Sequence, residues 1–240
     1  MKGYFSLIPR RLSTPLHTCR GGVVGLLLLL FLLALTACED ETYKTGDGRY
    51  SYLCADFGEV MTGESMQLMG GITDEGKSMA FSQPYTAQWA TTPDSTYRAL
   101  IYYYILDDNR TTPYSISRVP VMKPYETQRP DTLSYDPLVF ESTWVSKNGK
   151  YLNLGFYVKT GQADGIDGTQ RLGFVQEGVT TQPDGSRMLT LRVYHDQMGV
   201  PEYYSAHGFV SVPLLDIYVD QITLHIPTYD GWTSRTLTIE

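Results

Sequence analysis

The sequence is poor in cysteine, in basic charge and in helical periodicity, and each shortage excludes a class of protein. Its 240 residues include three cysteines, and 19 Lys and Arg residues stand against 26 Asp and Glu residues, a formal net charge of −7 at pH 7. Because a nucleic-acid surface requires clustered basic side chains, a nucleic-acid partner is excluded. Beyond residue 50 no stretch sustains an apolar repeat of three to four residues, which excludes a helical fold.

One long apolar run is present, from Val23 to Ala37, and it holds five consecutive leucines. Its fifteen residues are fewer than the roughly twenty that a helix needs to cross a bilayer core. The residues before it carry four basic side chains and no acidic one. A basic flank, a short apolar segment and small residues at its end are typical of a secretory signal. We therefore predict a signal peptide over residues 1–37.

The apolar run ends in Leu35-Thr36-Ala37-Cys38, which resembles the lipobox of bacterial lipoproteins. The resemblance makes Cys38 the lipidated first residue of the mature chain, anchored to the outer membrane and periplasmic or surface-exposed. Two or more acyl chains hold a protein stably on a membrane. Residues 38–48 are then a polar tether, whose acidic start at residues 39–41 fits an export signal or an ordinary solvated linker. Of the other cysteines, Cys19 leaves with the signal, so Cys54 has no partner for an intrachain disulfide.

The mature chain alternates apolar and polar residues with the period of strands, which predicts an all-β protein. We expect an OB-type small barrel over residues 49–122 and an immunoglobulin-like β-sandwich over residues 137–240. Pro124 and Pro130 between them, with Pro120 and Pro137 on either side, predict a linker over residues 123–136, because proline is disfavoured inside a sheet. In the second domain, Asn148-Gly149 suits a type I′ hairpin turn.

No pattern in the sequence identifies a catalytic or metal site. His195 is followed by Asp196, which could orient the imidazole, but no serine stands in a nucleophile motif. Cys54 lies in an alternating strand, where it is expected to pack as a small apolar residue. Residues 162–168 lack the acidic spacing of an EF-hand loop. We therefore predict no catalytic residue, no metal and no cofactor.

Aromatic clusters are the strongest sign of a binding surface. Tyr102, Tyr103 and Tyr104 are consecutive on a predicted strand, so at least one of them should face away from the core. Together with Trp89 they form a candidate ligand-binding row that could stack on sugars or bury in a partner. The alternative is that tyrosine serves here as a good strand residue.

The chain resembles the NigD-like lipoproteins. The resemblance rests on the lipobox cysteine, on "DEGKSMAFSQPYTAQWATTPDSTYRALIYYYI", on "FESTWVSKNGKYLNLGFYVKTG" and on "YYSAHGFVSVPL". It implies an N-terminal OB domain and a C-terminal β-sandwich, and it brings no established reaction or catalytic residue.

These observations predict a non-catalytic, lipid-anchored protein of the cell envelope. Its expected role is to bind an oligosaccharide or a peptide. The alternative is a protein-interaction or immunity-like scaffold in an envelope complex, and an uncharacterised hydrolase is the third hypothesis.

Overall fold

The computed structural model describes residues 52–107, 109–126, 133–165 and 168–239. The predicted signal peptide, Cys38 and the tether lie outside these residues. All the regular secondary structure in the described part of the chain consists of β-strands, which confirms the all-β prediction. No helix there has the length and apolar character that a membrane crossing requires.

The first five strands close into a small barrel. They are β1 (Leu53–Thr62), β2 (Leu68–Thr73), β3 (Ser78–Tyr85), β4 (Thr96–Ile105) and β5 (Arg110–Arg118). Around the barrel the order is β1-β2-β3-β5-β4, and β4 pairs with β1 to complete the circle. This is the strand order of an OB fold, with β3 and β5 parallel, and it confirms the predicted barrel.

Glycines allow the barrel strands to approach each other closely. A Cβ atom added at Gly58 would lie 2.6 Å from the carbonyl oxygen of Ile72, and one added at Gly71 would lie 2.5 Å from the carbonyl oxygen of Glu59. Side chains at these positions would collide with the neighbouring backbone, so the tight coiling of β1 and β2 depends on glycine.

The remaining eight strands form a sandwich of two sheets. They are β6 (Tyr125–Glu126), β7 (Val139–Val145), β8 (Tyr151–Thr160), β9 (Arg171–Thr181), β10 (Arg187–Asp196), β11 (Tyr204–Pro213), β12 (Gln221–Thr228) and β13 (Gly231–Thr238). One sheet has the order β13-β12-β10-β9-β6 and the other β11-β8-β7. Alternate residues of both sheets, among them Leu152, Leu154, Leu189 and Leu191, fill a common core. The predicted sandwich is confirmed.

Two local features differ from the sequence-based expectations. Tyr125 and Glu126, inside the predicted linker, form β6 and pair with β9, so this part of the segment belongs to the sandwich. The turn at Asn148-Gly149 is not type I′, because Gly149 has a φ of 67° and Asn148 is not among the residues with positive φ. A loop of five residues, Ser146–Lys150, separates β7 from β8. The N–H of Ser146 closes this loop by donating to the carbonyl oxygen of Tyr151.

The barrel and the sandwich belong to one compact unit, Tyr52–Glu240, and a buried arginine joins them. Arg98 of β4 pairs with Asp74 through both carboxylate oxygens. The same guanidinium donates to Asn153 Oδ1 at 3.1 Å and to Ser211 Oγ at 3.3 Å, both in the sandwich. It also lies 4.4 Å from the centroid of the Tyr151 ring.

A second link joins β1 to the start of β8. Glu59 accepts hydrogen bonds from Lys150 Nζ and from the hydroxyl of Tyr151, each at 2.7 Å. Burial works to raise the pKa of Glu59, but the two hydrogen bonds and the positive charges of Lys150 and Arg98 lower it below its usual value. Burial and the bond to Glu59 raise the pKa of Tyr151 to about 12.

Candidate functional site

The four aromatic residues predicted to bind ligand do not form one exposed row. Tyr103 is 2% exposed in the barrel core, where its hydroxyl donates to Asp56 Oδ2 at 2.5 Å. Burial and that bond raise the pKa of Tyr103. Tyr102 and Tyr104 lie half-buried on the other side of β4, and Trp89 is half-buried against the barrel core. Tyr103 therefore offers no ring face to a ligand, because the pairing of β4 with β1 turns it inward.

The sequence pair His195-Asp196 is not a catalytic dyad. His195 is fully buried, and its Nδ1 lies 3.2 Å from the carbonyl oxygen of Asp136 while its Nε2 lies 3.1 Å from Gln170 Oε1. The carboxylate of Asp196 instead accepts the backbone N–H of Met198 at 3.0 Å. Both ring nitrogens of the imidazole have structural partners, so it is held as part of the core. Among the described residues, no group of three or more His, Cys, Asp and Glu side chains could hold a metal ion.

A different aromatic cluster lies on the outer face of the five-stranded sheet. Trp232, at the start of β13, is 54% exposed. Its ring meets that of Tyr135 edge to face, with centroids 5.3 Å apart. The guanidinium of Arg192, on β10, lies 5.3 Å from the Trp232 centroid and 5.6 Å from that of Tyr135. An ion pair with Glu177 of β9 holds this guanidinium beside the two rings.

Two concave surfaces meet at Trp232. A groove of about 410 Å³ is lined by residues 138–140, at the start of β7, and by residues 228–233 of the β12–β13 hairpin. A recess of about 230 Å³ is lined by Arg192, His225 and Trp232. Tyr229 and Asp230 bring a phenol and a carboxylate to the groove. We call the set Tyr135, Arg192, His225, Tyr229 and Trp232 the Trp232 site.

The β12–β13 turn and the edge position of β13 explain why Trp232 is exposed. Thr228 pairs with Gly231 across a two-residue loop, and the Thr228 hydroxyl donates to the carbonyl oxygen of Gly231 at 2.6 Å. Gly231 has a φ of 102°, which favours glycine. Because β13 is the edge of its sheet, Trp232 has a paired neighbour on one side, Pro227 of β12.

The electrostatics of the site are mixed rather than strongly of one sign. Burial and the charge of Glu202 raise the pKa of Tyr229, whose hydroxyl lies 3.4 Å from a Glu202 carboxylate oxygen. His225 Nδ1 lies 2.7 Å from Ser234 Oγ. An exposed indole with cationic, carboxylate and hydroxyl groups around it can stack on a ligand ring and hydrogen-bond its edge.

Sequence reasoning did not include Trp232, one of the three tryptophans of the chain, in the candidate ligand-binding row. It did not find Arg192 or Tyr135, which lie far from Trp232 in the chain. The pairing of β10 with β12, and of β12 with β13, brings Arg192 near the tryptophan. Arg192 is an outward-facing polar residue of an alternating strand, and the sequence around it does not indicate that it contacts Trp232.

Comparison with known proteins agrees with this architecture. Residues 121–239 match the NigD-like C-terminal beta sandwich domain. No curated protein matches the chain. Among solved structures, a NigD-like immunity protein from Bacteroides caccae superimposes with a TM-score of 0.58 at 22% identity, over 76% of this chain and 90% of that one.

Another similar structure is a candidate lipoprotein from Bacteroides fragilis. Its TM-score is 0.55 at 9% identity, and the match covers 78% of this chain and 98% of that one. At these identities the structures establish a shared fold alone, while the domain match reaches from the end of the barrel to β13. By this domain match, the chain carries the C-terminal β-sandwich of the NigD-like family.

Proposed function

We propose that this protein is a non-catalytic, lipid-anchored protein of the cell envelope that binds an oligosaccharide at the Trp232 site. The observation that carries the proposal is the half-exposed indole of Trp232 between two concave surfaces, with Arg192 and Tyr135 packed against it. Sugar rings present C–H faces that stack on an indole and hydroxyl edges that bond to carboxylate, guanidinium and hydroxyl groups.

Several observations support a binding rather than a catalytic role. The imidazole of His195 is buried between structural partners, and the described residues include no group of three or more His, Cys, Asp and Glu side chains that could hold a metal ion. The lipobox ending at Cys38 supports an anchor on the envelope, as does the likeness to a candidate lipoprotein.

A glycan panel with immobilised protein tests the proposal. We expect saturable binding of an oligosaccharide class, weakened at least about tenfold by Trp232→Ala, which corresponds to a loss of ~1.4 kcal/mol. Tyr218→Ala is the matched control, because Tyr218 is a strongly exposed aromatic residue of the sandwich outside the site. Tyr102→Ala tests the barrel surface predicted from the sequence. Binding that survives Trp232→Ala but is lost in Tyr102→Ala would place the ligand on the barrel instead.

The anchor has its own test. Wild-type protein should fractionate with membranes, and Cys38→Ser should release it into the soluble fraction, because the acyl chains have no other attachment point in the proposal. Membrane association of the Cys38→Ser variant would contradict lipidation at this residue.

A second function, recognition of a peptide or protein partner, is favoured by the edge strand β13. Its residues Gly231–Thr238 are mostly exposed, and one side of the strand has no neighbour in the five-stranded sheet. An extended peptide can add to such an edge through backbone hydrogen bonds. A related fold occurs in the NigD-like immunity protein of Bacteroides caccae. Peptide binding that depends on Trp232, without saccharide binding, would favour this alternative.

A further inference from the structure

Three methionines lie together at the tip of the β1–β2 hairpin, on the outside of the barrel and apart from the Trp232 site. Met61, Met66 and Met69 are 44%, 45% and 48% exposed. Met61 pairs with Gly70, and the register shifts directly after this pair, so Met69 is the extra residue of a bulge. Met61 and Met69 are therefore neighbours across the two strands, which lie about 5 Å apart.

The hairpin turn places the third methionine at the same tip. A Cβ atom added at Gly63 would lie 3.3 Å from Met69 Cγ and 3.8 Å from Met69 Sδ, so the Met69 thioether lies against the turn. Met66 closes that turn by donating its N–H to the carbonyl oxygen of Gly63 at 3.0 Å. Because each methionine has three rotatable side-chain bonds, the three sulfur atoms can converge on one point.

Two other hairpins of the same chain show how unusual Met66 is. The turns Thr73–Lys77 and Gln182–Ser186 have the same pair of backbone hydrogen bonds as Gly63–Gln67. Their fourth residues are glycines, Gly76 with φ 80° and Gly185 with φ 87°, whereas Met66 occupies this position with φ 60°. Only glycine adopts this left-handed conformation without strain, so the methionine is retained at a conformational cost.

Backbone strain does not mark the site by itself. Met198 also has a positive φ, 51°, but the sequence from residue 189 to 206 contains no second methionine. The hairpin tip differs because strain coincides with two more exposed thioethers. The tip segment, residues 61–69, also contains Glu64 and no Lys or Arg, so it carries no positive charge that would repel a cation.

We propose that Met61, Met66 and Met69 bind one Cu(I) ion through their three thioether sulfurs. Thioethers are soft, uncharged ligands that select Cu(I) over Ca²⁺, Mg²⁺ and Zn²⁺, which prefer oxygen, nitrogen or thiolate ligands. A thioether carries no exchangeable proton, so its affinity for the ion does not change between pH 5 and pH 7.5. Sites built from histidine or cysteine lose affinity for the ion as the pH falls from 7.5 to 5, because protons compete for the ligands.

The test titrates Ag(I), a redox-stable d¹⁰ analogue of Cu(I), into protein whose methionine methyl groups carry ¹³C. All three cysteines are replaced by serine, so thiolates do not contribute. One equivalent of Ag(I) should shift the methyl signals of Met61, Met66 and Met69, equally at pH 5 and pH 7.5. Signals that do not move, or shifts confined to other methionines, would overturn the proposal.

Competition with a Cu(I) chelator then measures the contribution of each sulfur. Met61→Leu and Met69→Leu keep side-chain size and should each weaken Cu(I) binding at least about tenfold. Met66→Gly recreates the glycine turns found elsewhere in the chain, so it should weaken binding equally without lowering the melting temperature. Met198→Leu is the control and should leave binding unchanged. Wild-type affinity in the triple variant Met61→Leu, Met66→Gly, Met69→Leu would contradict the site.

Discussion

Replacing Arg98 by methionine should lower the free energy of unfolding by about 3–5 kcal/mol, the usual cost of breaking a buried ion pair. The Arg98 side chain is fully buried and that of Asp74 is 12% exposed. The substitution leaves the Asp74 carboxylate without its cation and removes the donors to Asn153 and Ser211. Asn153 Oδ1 keeps one donor, the Ser211 hydroxyl at 2.7 Å, so most of the cost falls on the orphaned carboxylate.

Urea and thermal denaturation, followed by tryptophan fluorescence and by circular dichroism, measure this loss. For a unit of this size the expected fall in melting temperature is roughly 6–20 °C. Arg110→Met is the matched control, because Arg110 pairs with Asp107 on the exposed surface. That variant should unfold like the wild type.

A double variant separates the orphaned charge from lost packing. In Arg98→Met/Asp74→Asn no buried carboxylate remains unpaired, so a large part of the lost stability should return. A loss below about 1 kcal/mol in the single variant, the range of an exposed pair, would refute the role given to Arg98. Equal instability of the single and double variants would show that packing, rather than charge, explains the loss.

Three further predictions concern the barrel. The pKa of Glu59 is lowered on folding, so its stabilising effect is present above its unfolded pKa of about 4.3 and is lost as the pH falls through the folded value. The urea midpoint of Glu59→Gln should therefore decline below pH 5 less steeply than that of the wild type. Parallel declines of the two midpoints would contradict this. Gly58→Ala should destabilise by about 1–3 kcal/mol, because its Cβ would lie 2.6 Å from the carbonyl oxygen of Ile72, and an unchanged thermal midpoint would show that the strands can separate. Tyr103→Phe should cost roughly 1 kcal/mol in urea denaturation by removing the bond to Asp56, and no loss would mean that the bond is not maintained in solution.

The strands and their grouping into two β units could be predicted because alternation is a local property. Leu152 and Leu154 share the core face of β8, as their spacing predicts. The turn at Asn148-Gly149 was predicted in the right place, but its type was wrong. The loop geometry depends on the Ser146 hydroxyl and the Asn148 carboxamide, which bond each other at 2.7 Å. Sequence propensity for a two-residue turn does not include such contacts.

The candidate site was less predictable because it depends on register between distant strands. Alternation shows that Tyr103 faces the opposite side of the strand from Tyr102 and Tyr104, but it does not show which side is the core. Pairing of Cys54 with Tyr103 decides that Tyr103 points into the barrel. Likewise Tyr135 and Arg192 reach Trp232 through pairings within the five-stranded sheet, and a single sequence contains no signal for them.

The most direct test of the central proposal follows the indole N–H signals of the three tryptophans during titration with the saccharide selected on the glycan panel. Trp232 is half-exposed at the site, while Trp89 lies against the barrel core and Trp144 packs on Phe57 and Phe209. The proposal predicts a saturable shift of the Trp232 signal, with those of Trp89 and Trp144 unmoved. Saturation that shifts Trp89 alone, or leaves Trp232 unchanged, would contradict a binding site on the sandwich.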